Sequence, residues 1–542
     1  MSSQSMKTAV ELTPKETQLK DLLLDTAKYI NSSQPDAETV VLRWAGGWVR
    51  DKLLGVESDD IDTAINTMTG EAFVWKIFEL CEQPGTVEKH RLTEDDIGNL
   101  HKIPKNPEKS KHLETTTVRL FGFDVDFVNL RQETYTETSR NPQVEFGGPK
   151  EDALRRDATV NALFLNLNTG EVEDFTGGLA DMKSKLIRTP VEPFQTFMDD
   201  PLRILRLIRF ASRLGFTIDP AAEHAMGDAK VIHALKLKIS RERIGTELEK
   251  MLKGKDPRAS LQYVDKLGLY HGIFTDPSRS DLPLPDLSQW SRAYECLEHL
   301  CKNLTPGSIG EIVIQLDEEM YFAWLLCALT PWGNVDKPVR TGKGTPPPPF
   351  ITLVAREGIR ARNKICDLIT AAYNNRADIM DIKAAVLRKD PEISDRARLG
   401  MAIRHWDAKG GHWKLQVLFS LLVEAMQRWE VGTTGSSQYS SRALPCDPSP
   451  DLLAARNADF LGEWQSLFDH IRELDVMDAT SLNRIIDGKQ LADALGVRPG
   501  RWMTEALEVC VAWQFRNPNV TDPAGAIEEV RSKRKKLAIP SK

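Results

Sequence analysis

The sequence predicts an α+β protein, with a small mixed β-sheet in its N-terminal third and an all-α remainder. From about residue 40 to residue 189, short β-rich runs such as VVLRWAGG, DDIDTAI and FDVDFVNL alternate with turns. After about residue 194, apolar residues recur at helical spacing, as in PLRILRLIRFASRLGF and YFAWLLCALT. The chain of 542 residues is long enough for two to four compact units.

Composition excludes several classes of protein. The chain is 41% hydrophobic and 27% charged, which is typical of a globular protein with a real core. No apolar run approaches the roughly 18 residues that a membrane-spanning helix needs. Seven cysteines occur without a CxxC pair, and no His-Asp dipeptide is present, which argues against a zinc framework, a disulfide scaffold and one common phosphohydrolase signature. The net charge of −7 means that nucleic-acid binding would depend on local basic stripes.

The first β-rich run leads into a glycine turn. VVLRWAGGWVRDKLLG predicts a strand, a Gly-Gly turn and a helix near Trp48–Leu54. Gly46 and Gly47 would let the backbone approach a phosphate chain, and Arg50 one turn later could bind an anionic oxygen. A purely structural turn is the alternative interpretation.

Carboxylates follow on two further strands. Asp60 and Asp62 in DDID project from the same face of a strand, where their mutual repulsion favours a bound cation such as Mg²⁺. Asp124 and Asp126 in FDVDFVNLR also share a face, and spacing alone does not choose between them. Three carboxylates converging from neighbouring strands would build a two-metal phosphoryl-transfer site. An exposed acidic strand is the simpler alternative for DDID.

A polar helix and a strand carry the next group. In EDALRRDATVNALF, Arg155 and Arg156 could hold a triphosphate, while Asp157 and Asn161 could reach ribose hydroxyls. Helix capping or surface salt bridges would explain the same residues equally well.

The segment DDPLRILRLIRFASRLGF predicts a helix that begins at Pro201, with Asp199 and Asp200 in the favourable acidic position before it. Its arginines fall within an arc of about 120°, with no acidic residue among them and apolar residues opposite. This stripe of arginines predicts a phosphate-facing surface and comprises Arg203, Arg206, Arg209 and Arg213. Asp200 accepts hydrogen bonds and Arg203 donates them, so the two together could read the edge of a base.

Five motifs in order resemble one known family. They are GGWVRDKLLG…DDID, RRDATVNA, EDFTGGLADM, DDPLRILRLIRFASRLGF and ISRERIGTELEKML. Together they resemble class II tRNA nucleotidyltransferases, the CCA-adding enzymes, whose superfamily includes the bacterial-type poly(A) polymerases. The strong resemblance covers about residues 40–252, and the C-terminal DGKQLADALGVRPGRWMTEALEVCVAWQFRNP is similar to the end of eukaryotic CCA-adding enzymes.

The resemblance implies roles for individual residues. Asp60 and Asp62 match the metal-binding, catalytic carboxylates, and Asp126 matches the third acid because it precedes NLR by the family's spacing. Asp200 and Arg203 match the amino-acid template for incoming CTP and ATP. The implied nucleotide-binding set is Gly46, Gly47, Arg50, Arg156, Asp157, Asn161, Asp199, Asp200, Arg203, Arg206 and Arg209. One departure is that the bacterial template motif usually begins Glu-Asp, whereas this chain has Asp-Asp.

The implied reaction is the template-independent addition of C, C and A to the 3′ end of tRNA. The RNA 3′-hydroxyl would attack the α-phosphate of CTP or ATP with Mg²⁺ at a two-metal site, releasing pyrophosphate. C and A both present an exocyclic amino group beside a ring acceptor, whereas U and G would leave the template residues unpaired or repelled. The stretch at 88–114 resembles the flexible loop that assists the change from CTP to ATP. The tRNA would be bound at its acceptor arm and elbow, through shape and backbone contacts.

The resemblance also implies the domain plan: an N-terminal extension (1–35), a catalytic nucleotidyltransferase head (36–190), a nucleotide-selecting neck (191–275), a helical body (276–430) and a helical, tRNA-binding tail with a basic C-terminus (431–542). We expect a monomer, with a dimer as the alternative. Cytoplasm, nucleus and mitochondrion are all compatible with the family. The acidic, Arg-free N-terminus favours cytoplasm or nucleus, although a start at Met6 rather than Met1 is open.

Several alternatives stay open on sequence alone. A poly(A) polymerase shares the same motifs, and partial enzymes that add only CC or only A are related. An inactive RNA-binding protein on this fold would be expected to have lost a metal or template residue, and all are present. The basic run RSKRKK is compatible with nuclear import, with RNA-backbone binding or with a solvated helix end. Three segments (102–114, 339–350 and 432–451) are predicted to be irregular.

Overall fold

The computed structural model describes residues 9–101, 115–136, 139–279, 281–339, 347–408, 410–431 and 450–540. The chain forms two compact units. The N-terminal unit comprises Met1–Asp256 with Leu267–Gly272, and the C-terminal unit comprises Pro257–Lys266 with Ile273–Lys542. Within the described ranges, no helix has the length and apolar character needed to cross a membrane.

All described strands lie in the N-terminal unit. They are β1 (Leu42–Ala45), β2 (Asp60–Ile65), β3 (Thr116–Leu120), β4 (Phe123–Asn129), β5 (Arg131–Thr136), β6 (Ser139–Phe146), β7 (Leu163–Asn166), β8 (Val172–Asp174), β9 (Leu186–Ile187) and β10 (Thr217–Ile218). Six of them form one sheet in the order β3-β4-β2-β1-β7-β8, while β5 with β6 and β9 with β10 form separate pairs. Only β2 and β4 run parallel within the six-stranded sheet, so it is mixed, as predicted.

The described helices of this unit alternate with the strands along the chain, and after β10 only helices follow. They are α1 (Pro14–Ser33), α2 (Gly47–Leu53), α3 (Gly70–Cys81), α4 (Thr86–His90), α5 (Glu94–His101), α6 (Pro149–Leu154), α7 (Gly178–Ser184), α8 (Pro193–Asp199), α9 (Arg203–Leu214), α10 (Pro220–Met226), α11 (Ala229–Lys238) and α12 (Arg241–Leu252). A short 3₁₀ turn, Thr159–Asn161, precedes β7. The helix predicted after the glycine turn is present as α2, and LNTGEV forms the hairpin between β7 and β8.

Two sequence predictions about residues 194–218 were wrong in detail. Asp199 ends α8, and α9 begins at Arg203, so no single helix starts at Pro201 with both acids before it. Asp200 has an extended backbone (φ −133°, ψ 95°) between the two helices, and its carboxylate accepts a hydrogen bond from the Leu202 N–H at 3.2 Å. Strands also do not stop at residue 194, because β10 pairs with β9.

The described secondary structure of the C-terminal unit is all helical, and α14 lies where the chain passes from the N-terminal to the C-terminal unit. The remaining helices are α13 (Pro257–Lys266), α14 (Tyr270–Ile273), α15 (Trp290–Lys302), α16 (Ile309–Val313), α17 (Asp317–Ala328), α18 (Phe350–Leu353), α19 (Asn363–Arg388), α20 (Arg396–Trp406), α21 (Trp413–Arg428), α22 (Pro450–Glu473), α23 (Gly488–Leu495), α24 (Met503–Arg516) and α25 (Ala524–Ser532). Short 3₁₀ turns at Thr330–Asn334, Pro391–Ser394 and Ala479–Ser481 and a π turn at Val354–Gly358 join them.

The core of this unit depends on buried tryptophans and one buried ion network. Lys383 is 3% exposed, and its Nζ lies 2.8 Å from Glu424 and 2.9 Å from Glu463, so it links α19, α21 and α22. All six described cysteines are free and buried or partly buried. Cys446 lies outside the described residues, as do 102–114, 340–346 and 432–449 within the segments predicted to be irregular.

The basic C-terminal run belongs to a folded part of the chain. Leu537 and Ile539, directly after it, are each 7% exposed and pack in a cluster with residues of α23, α24 and α25. Val530, directly before the run, is fully buried in the same cluster. The basic residues 531–536 are thus held at both ends.

Candidate active site

The sheet brings the predicted carboxylates to one place. Because β2 and β4 are parallel and in register, Asp60 lies beside Asp124 and Asp62 lies beside Asp126. Alternate residues point to opposite faces of a strand, so these four side chains share one face while Ile61 and its neighbours on the other face are buried. Antiparallel pairing with β1 places Ala45 beside Asp62, which brings the glycine turn to the same edge.

The surroundings of the two candidate third acids differ. The Thr117 hydroxyl donates to Asp126 at 2.5 Å, whereas Asp124 pairs with Arg119 at 3.3 Å and its side chain is 51% exposed. Burial raises the pKa of Asp62; Arg156 opposes this, and the charges of Asp126 and then Asp60 add to it. Asp126 therefore acts on Asp62 electrostatically, and this geometry favours it over Asp124 as the third carboxylate.

The donor set fits a divalent cation bound through oxygen. Asp60 and Asp62 offer only carboxylate oxygens, which are the ligands that Mg²⁺ prefers, and their mutual repulsion would be relieved by a cation. Across the described residues, no three His, Cys, Asp or Glu side chains already converge closely enough to hold a metal ion. We therefore assign only Asp60 and Asp62 as residues that would hold it.

The turn after β1 requires a glycine. Gly46 has φ +72° and ψ −129°, a conformation that a side chain makes strained. A Cβ there would lie 2.8 Å from Nη1 of Arg156 and 3.6 Å from Oδ2 of Asp62. The turn thus brings the Arg156 guanidinium and the Asp62 carboxylate against the backbone. At Gly47, a Cβ would lie 3.5 Å from Nη2 of Arg50.

Arg50 lies inside this cluster and not at its surface. It is 3% exposed, and its guanidinium donates to Oδ1 of Asp51 from Nε at 2.8 Å and contacts it from Nη2 at 2.7 Å. Its Nη1 donates to Oδ1 of Asn161. Burial lowers the pKa of Arg50, and Asp51 opposes that effect. In this structure Arg50, which was predicted to bind an anionic oxygen of a ligand, is therefore paired with the carboxylate of Asp51.

One buried carboxylate orients both arginines of RRDATVNA. Asp152 is 1% exposed and accepts from Nε of Arg155 at 2.9 Å and from Nε of Arg156 at 3.0 Å. Arg156 also donates from Nη1 to the Asn161 carbonyl at 3.2 Å and lies over the Phe164 ring, with Cζ 5.0 Å from its centre. Asp152 thereby holds Arg156 over the glycine turn.

Asp157 and Asn161 face the interior. Each is 8% exposed, and Nδ2 of Asn161 donates to Oδ1 of Asp157 at 3.1 Å. Arg206 donates from Nε to the other oxygen of Asp157 at 2.6 Å. Burial alone would raise the pKa of Asp157, but Arg206 and Asn161 outweigh it and lower the pKa to about 2. Asp157 thereby connects its segment of the head to α9, and Asn161 connects Asp157 to Arg50 of α2.

The arginine stripe of α9 exists, and acids from other elements pair with it. Arg209 binds Glu247 at 2.7 Å, and Arg213 binds Asp51 at 3.2 Å, in addition to the pair of Arg206 with Asp157. The helix itself carries no acid, as its sequence indicates. Its charge is nevertheless largely balanced, because acids come from α2 (Asp51), from α12 (Glu247) and from the segment between α6 and the 3₁₀ turn (Asp157).

The two template candidates have separate partners. Asp200 receives Nη2 of Arg243 at 3.1 Å on the oxygen opposite the one that binds the Leu202 N–H. Arg203 is 8% exposed and donates from Nη2 to the Arg155 carbonyl at 2.7 Å. Asp199 accepts from Gln195 within α8 at 2.7 Å.

Sequence reasoning missed the partners that hold these residues. They are Asp51, Asp152, Arg243 and Glu247. Each lies inside or next to a motif already singled out; Arg243 and Glu247 stand in ISRERIGTELEKML. A buried charge needs a partner of opposite sign. A search for such partners among the other acids and bases of these motifs could therefore have found them.

Two family models match parts of the chain. Residues 42–188 match the model of the poly A polymerase head domain, and residues 215–280 match that of the probable RNA and SrmB-binding site of polymerase A. The fold and the site thus define a nucleotidyltransferase with a head of the poly(A) polymerase type.

Curated relatives match over nearly the full chain. The tRNA nucleotidyltransferase cca2 of Schizosaccharomyces pombe is 34% identical over 97% of this chain and 98% of its own. The mitochondrial CCA tRNA nucleotidyltransferase of Saccharomyces cerevisiae is 36% identical over 95% and 92%. The nucleotidyltransferase lcsQ of Purpureocillium lilacinum is 50% identical over 98% and 93%. The chain belongs to the tRNA nucleotidyltransferase family.

Solved structures share the fold. The apo form II of a CCA-adding enzyme aligns with a TM-score of 0.62 at 19% identity, covering 96% of each chain. A CCA-adding enzyme in complex with CTP aligns with a TM-score of 0.59 at 20% identity, covering 98% of this chain and 97% of that one. The predicted family, enzyme class and α+β fold are confirmed.

Proposed function

We propose that this enzyme adds C, C and A in turn to the 3′ end of tRNA, using CTP and ATP. The observation that carries the proposal is the meeting of two groups in one compact unit. Asp62 stands in register with Asp126 and shares one strand face with Asp60, while Asp200 and Arg203 lie at the start of α9, the helix that carries the arginine stripe. The first group suits phosphoryl transfer and the second suits reading a base edge.

The residues of the head divide the work of the reaction. Asp60 and Asp62 would hold Mg²⁺, which supplies neutralisation of the phosphate charge and activation of the attacking hydroxyl. Arg156, fixed by Asp152 beside Gly46, donates to phosphate oxygens of the nucleotide. Asp126 would be the third catalytic carboxylate, beside Asp62 on the neighbouring strand. Arg206 and Arg209, which pair with Asp157 and Glu247 in this structure, would contact the nucleotide from the neck side.

Asp200 and Arg203 would select the nucleotide. The carboxylate of Asp200 accepts from the exocyclic amino group of C or A, and the guanidinium of Arg203 donates to the adjacent ring nitrogen. U and G present a carbonyl and an N–H at these positions, so each leaves a buried polar group unpaired. Arg243 and the Arg155 carbonyl fix the two side chains before any nucleotide arrives.

The test is extension of tRNA that lacks its 3′ end. Purified full-length protein is incubated with CTP alone, ATP alone or both, with and without Mg²⁺, and the 3′ ends are sequenced. We expect CC from CTP, CCA from both nucleotides, no product without a divalent cation, and a loss of about 10²- to 10³-fold for Asp60→Ala, in line with the loss of a catalytic electrostatic group. Asp36→Ala, a change of the same kind at an exposed acid before β1, should retain full activity.

Other products would contradict the proposal. Long A tracts from ATP would identify a poly(A) polymerase, and only CC or only A would identify a partial enzyme. Bound but unextended tRNA would identify an RNA-binding protein on this fold.

The assembly state and compartment stay predictions. We propose a monomer that binds tRNA, CTP and ATP, in the cytoplasm or nucleus. The relatives from Saccharomyces cerevisiae and Candida glabrata are named as mitochondrial enzymes, so mitochondrial sorting is the alternative to test by imaging.

A further inference from the structure

Two carboxylates join the two-stranded ribbon β5–β6 to Arg155: Glu133 of the ribbon, and Asp152 of α6, which accepts from the Arg131 N–H at 3.3 Å. Glu133 lies on β5, and its side chain is only 5% exposed. Its Oε1 accepts from Nε of Arg131 at 2.9 Å and from Nη1 of Arg155 at 3.0 Å. A carboxylate buried between two guanidinium groups is held in one orientation and holds both of them.

Two carboxylates thereby hold the guanidinium group of Arg155. Glu133 binds its Nη1, while Oδ1 of Asp152 binds its Nε at 2.9 Å and its Nη2 at 2.5 Å. Burial and the neighbouring Arg155 lower the pKa of Arg131, and Glu133 opposes them. Three guanidinium groups, those of Arg131, Arg155 and Arg156, thus share two carboxylates, so removal of Glu133 leaves excess positive charge at this point.

The main-chain carbonyl of Arg155 links this network to Arg203, one of the two proposed template residues. Arg155 caps the C-terminus of α6, where the last carbonyls lack partners inside the helix. Arg203 supplies a donor, because its Nη2 binds the Arg155 carbonyl at 2.7 Å. With one edge of the planar guanidinium fixed, its remaining N–H groups point in set directions.

We propose that Glu133 is a positioning residue for nucleotide selection: it fixes Arg155, whose carbonyl fixes the template residue Arg203. The inference rests on the proposed function, since it takes Arg203 as a reader of the incoming base. It assigns a role in selection to the ribbon β5–β6, which lies outside the motifs that carry the family resemblance.

Discrimination between CTP and UTP measures this role. In Glu133→Ala, Arg155 can turn toward Asp152 alone and Arg203 loses its fixed edge, so UTP is rejected less strongly. We expect the ratio of kcat/KM for CTP to that for UTP, measured for the first addition to tRNA lacking its 3′ end, to fall about tenfold, within the usual range for coupled polar contacts. Part of the change should appear as a higher KM for CTP.

Two matched variants distinguish positioning from general damage. Glu133→Gln keeps an acceptor oxygen at the same reach and should restore most of the discrimination. Glu145→Ala removes an exposed acid from β6, opposite Gln132 on the same ribbon, and should leave the ratio unchanged. If Glu133→Ala does not fold, Glu133→Asp, which keeps the charge but shortens the reach, should lower the ratio in the same direction.

The Arg203→Lys variant tests whether the effect of Glu133 on discrimination passes through Arg203. In Arg203→Lys, which lacks the planar fork, adding Glu133→Ala should change discrimination less than twofold further. An unchanged ratio in folded Glu133→Ala would overturn the inference, as would full additivity with Arg203→Lys. Failure of the proposed function is a separate result, because the wild-type protein would then add neither C nor A.

Discussion

At the scale of single residues, the candidate site is a network of charges that hold one another. Asp157 shows this most clearly: it is 8% exposed, accepts from Arg206 and Asn161, and has its pKa lowered to about 2. A carboxylate whose pKa is lower in the folded than in the unfolded state stabilises the fold above the unfolded pKa. That stabilisation is lost as the pH falls through the folded value.

We predict that Asp157→Asn lowers the free energy of unfolding by roughly 2 kcal/mol at pH 7, from the difference between 3.8 and about 2 in the two states. The deficit relative to wild type should shrink between pH 4 and pH 2, because wild type then loses the same contribution. Urea unfolding at pH 7 and pH 3 checks this. Asp36→Asn, at an exposed position, serves as control, and a deficit independent of pH would contradict the electrostatic explanation.

At the scale of elements, EDFTGGLADM acts as a support for the site. Asp174 accepts main-chain N–H groups of Gly177 and Gly178, both at 2.9 Å, and so organises the start of α7. Asp181 of α7 accepts from the Thr159 hydroxyl at 2.7 Å. The 3₁₀ turn that carries Asn161 is therefore set against α7.

We predict that Gly178→Ala displaces this turn. A Cβ at Gly178 would lie 2.3 Å from the Thr159 carbonyl oxygen, which forces a backbone shift. Overpacking of this kind destabilises by about 1–3 kcal/mol, and kcat/KM for CTP should fall with it because Asn161 contacts Arg50 and Asp157. Thermal unfolding and initial rates are the measurements.

Gly98→Ala is the matched control for that substitution. Gly98 lies inside α5 with no atom within 4 Å of its added Cβ, so alanine there should be neutral or stabilising by up to about 1 kcal/mol. Equal effects of the two substitutions would refute a specific contact between α7 and the turn.

At the scale of the whole molecule, every residue of the candidate site lies in the N-terminal unit. The chain carries a net charge of −7, so contacts with RNA depend on local basic surfaces. One such surface is the C-terminal turn, where Lys535 and Lys536 are exposed beside buried Leu537 and Ile539. Because the fold fixes this basic run at both ends, we favour its contact with a phosphate backbone over its recognition as an extended nuclear-import signal.

We predict that the double variant Lys535→Ala/Lys536→Ala weakens tRNA binding and leaves KM for CTP unchanged. Loss of two phosphate contacts should make the slope of log Kd against log salt shallower by about 1 to 2. Titrations at several salt concentrations measure it. Lys535→Arg/Lys536→Arg keeps the charge and should bind like wild type, whereas unaltered binding by the alanine variant would leave the run a solvated helix end.

The sequence by itself determined much of this protein. Strand alternation placed Asp60 with Asp62, and Asp124 with Asp126, each pair on one face, and helical spacing gathered the arginines of residues 203–213, because both patterns follow from local backbone geometry. The ordered motifs identified the family because each is a short local stretch that can be recognised in the sequence without knowledge of the fold.

Tertiary structure alone decided which charges meet. The parallel register of β2 and β4 set Asp126 beside Asp62, and the fold brought Glu133 to Arg155 and Glu247 to Arg209 across gaps of 22 and 38 residues. It also ended one helix at Asp199 and began the next at Arg203. Such pairings depend on long-range packing, in which a buried charge finds its partner wherever the chain returns, and no local pattern records that.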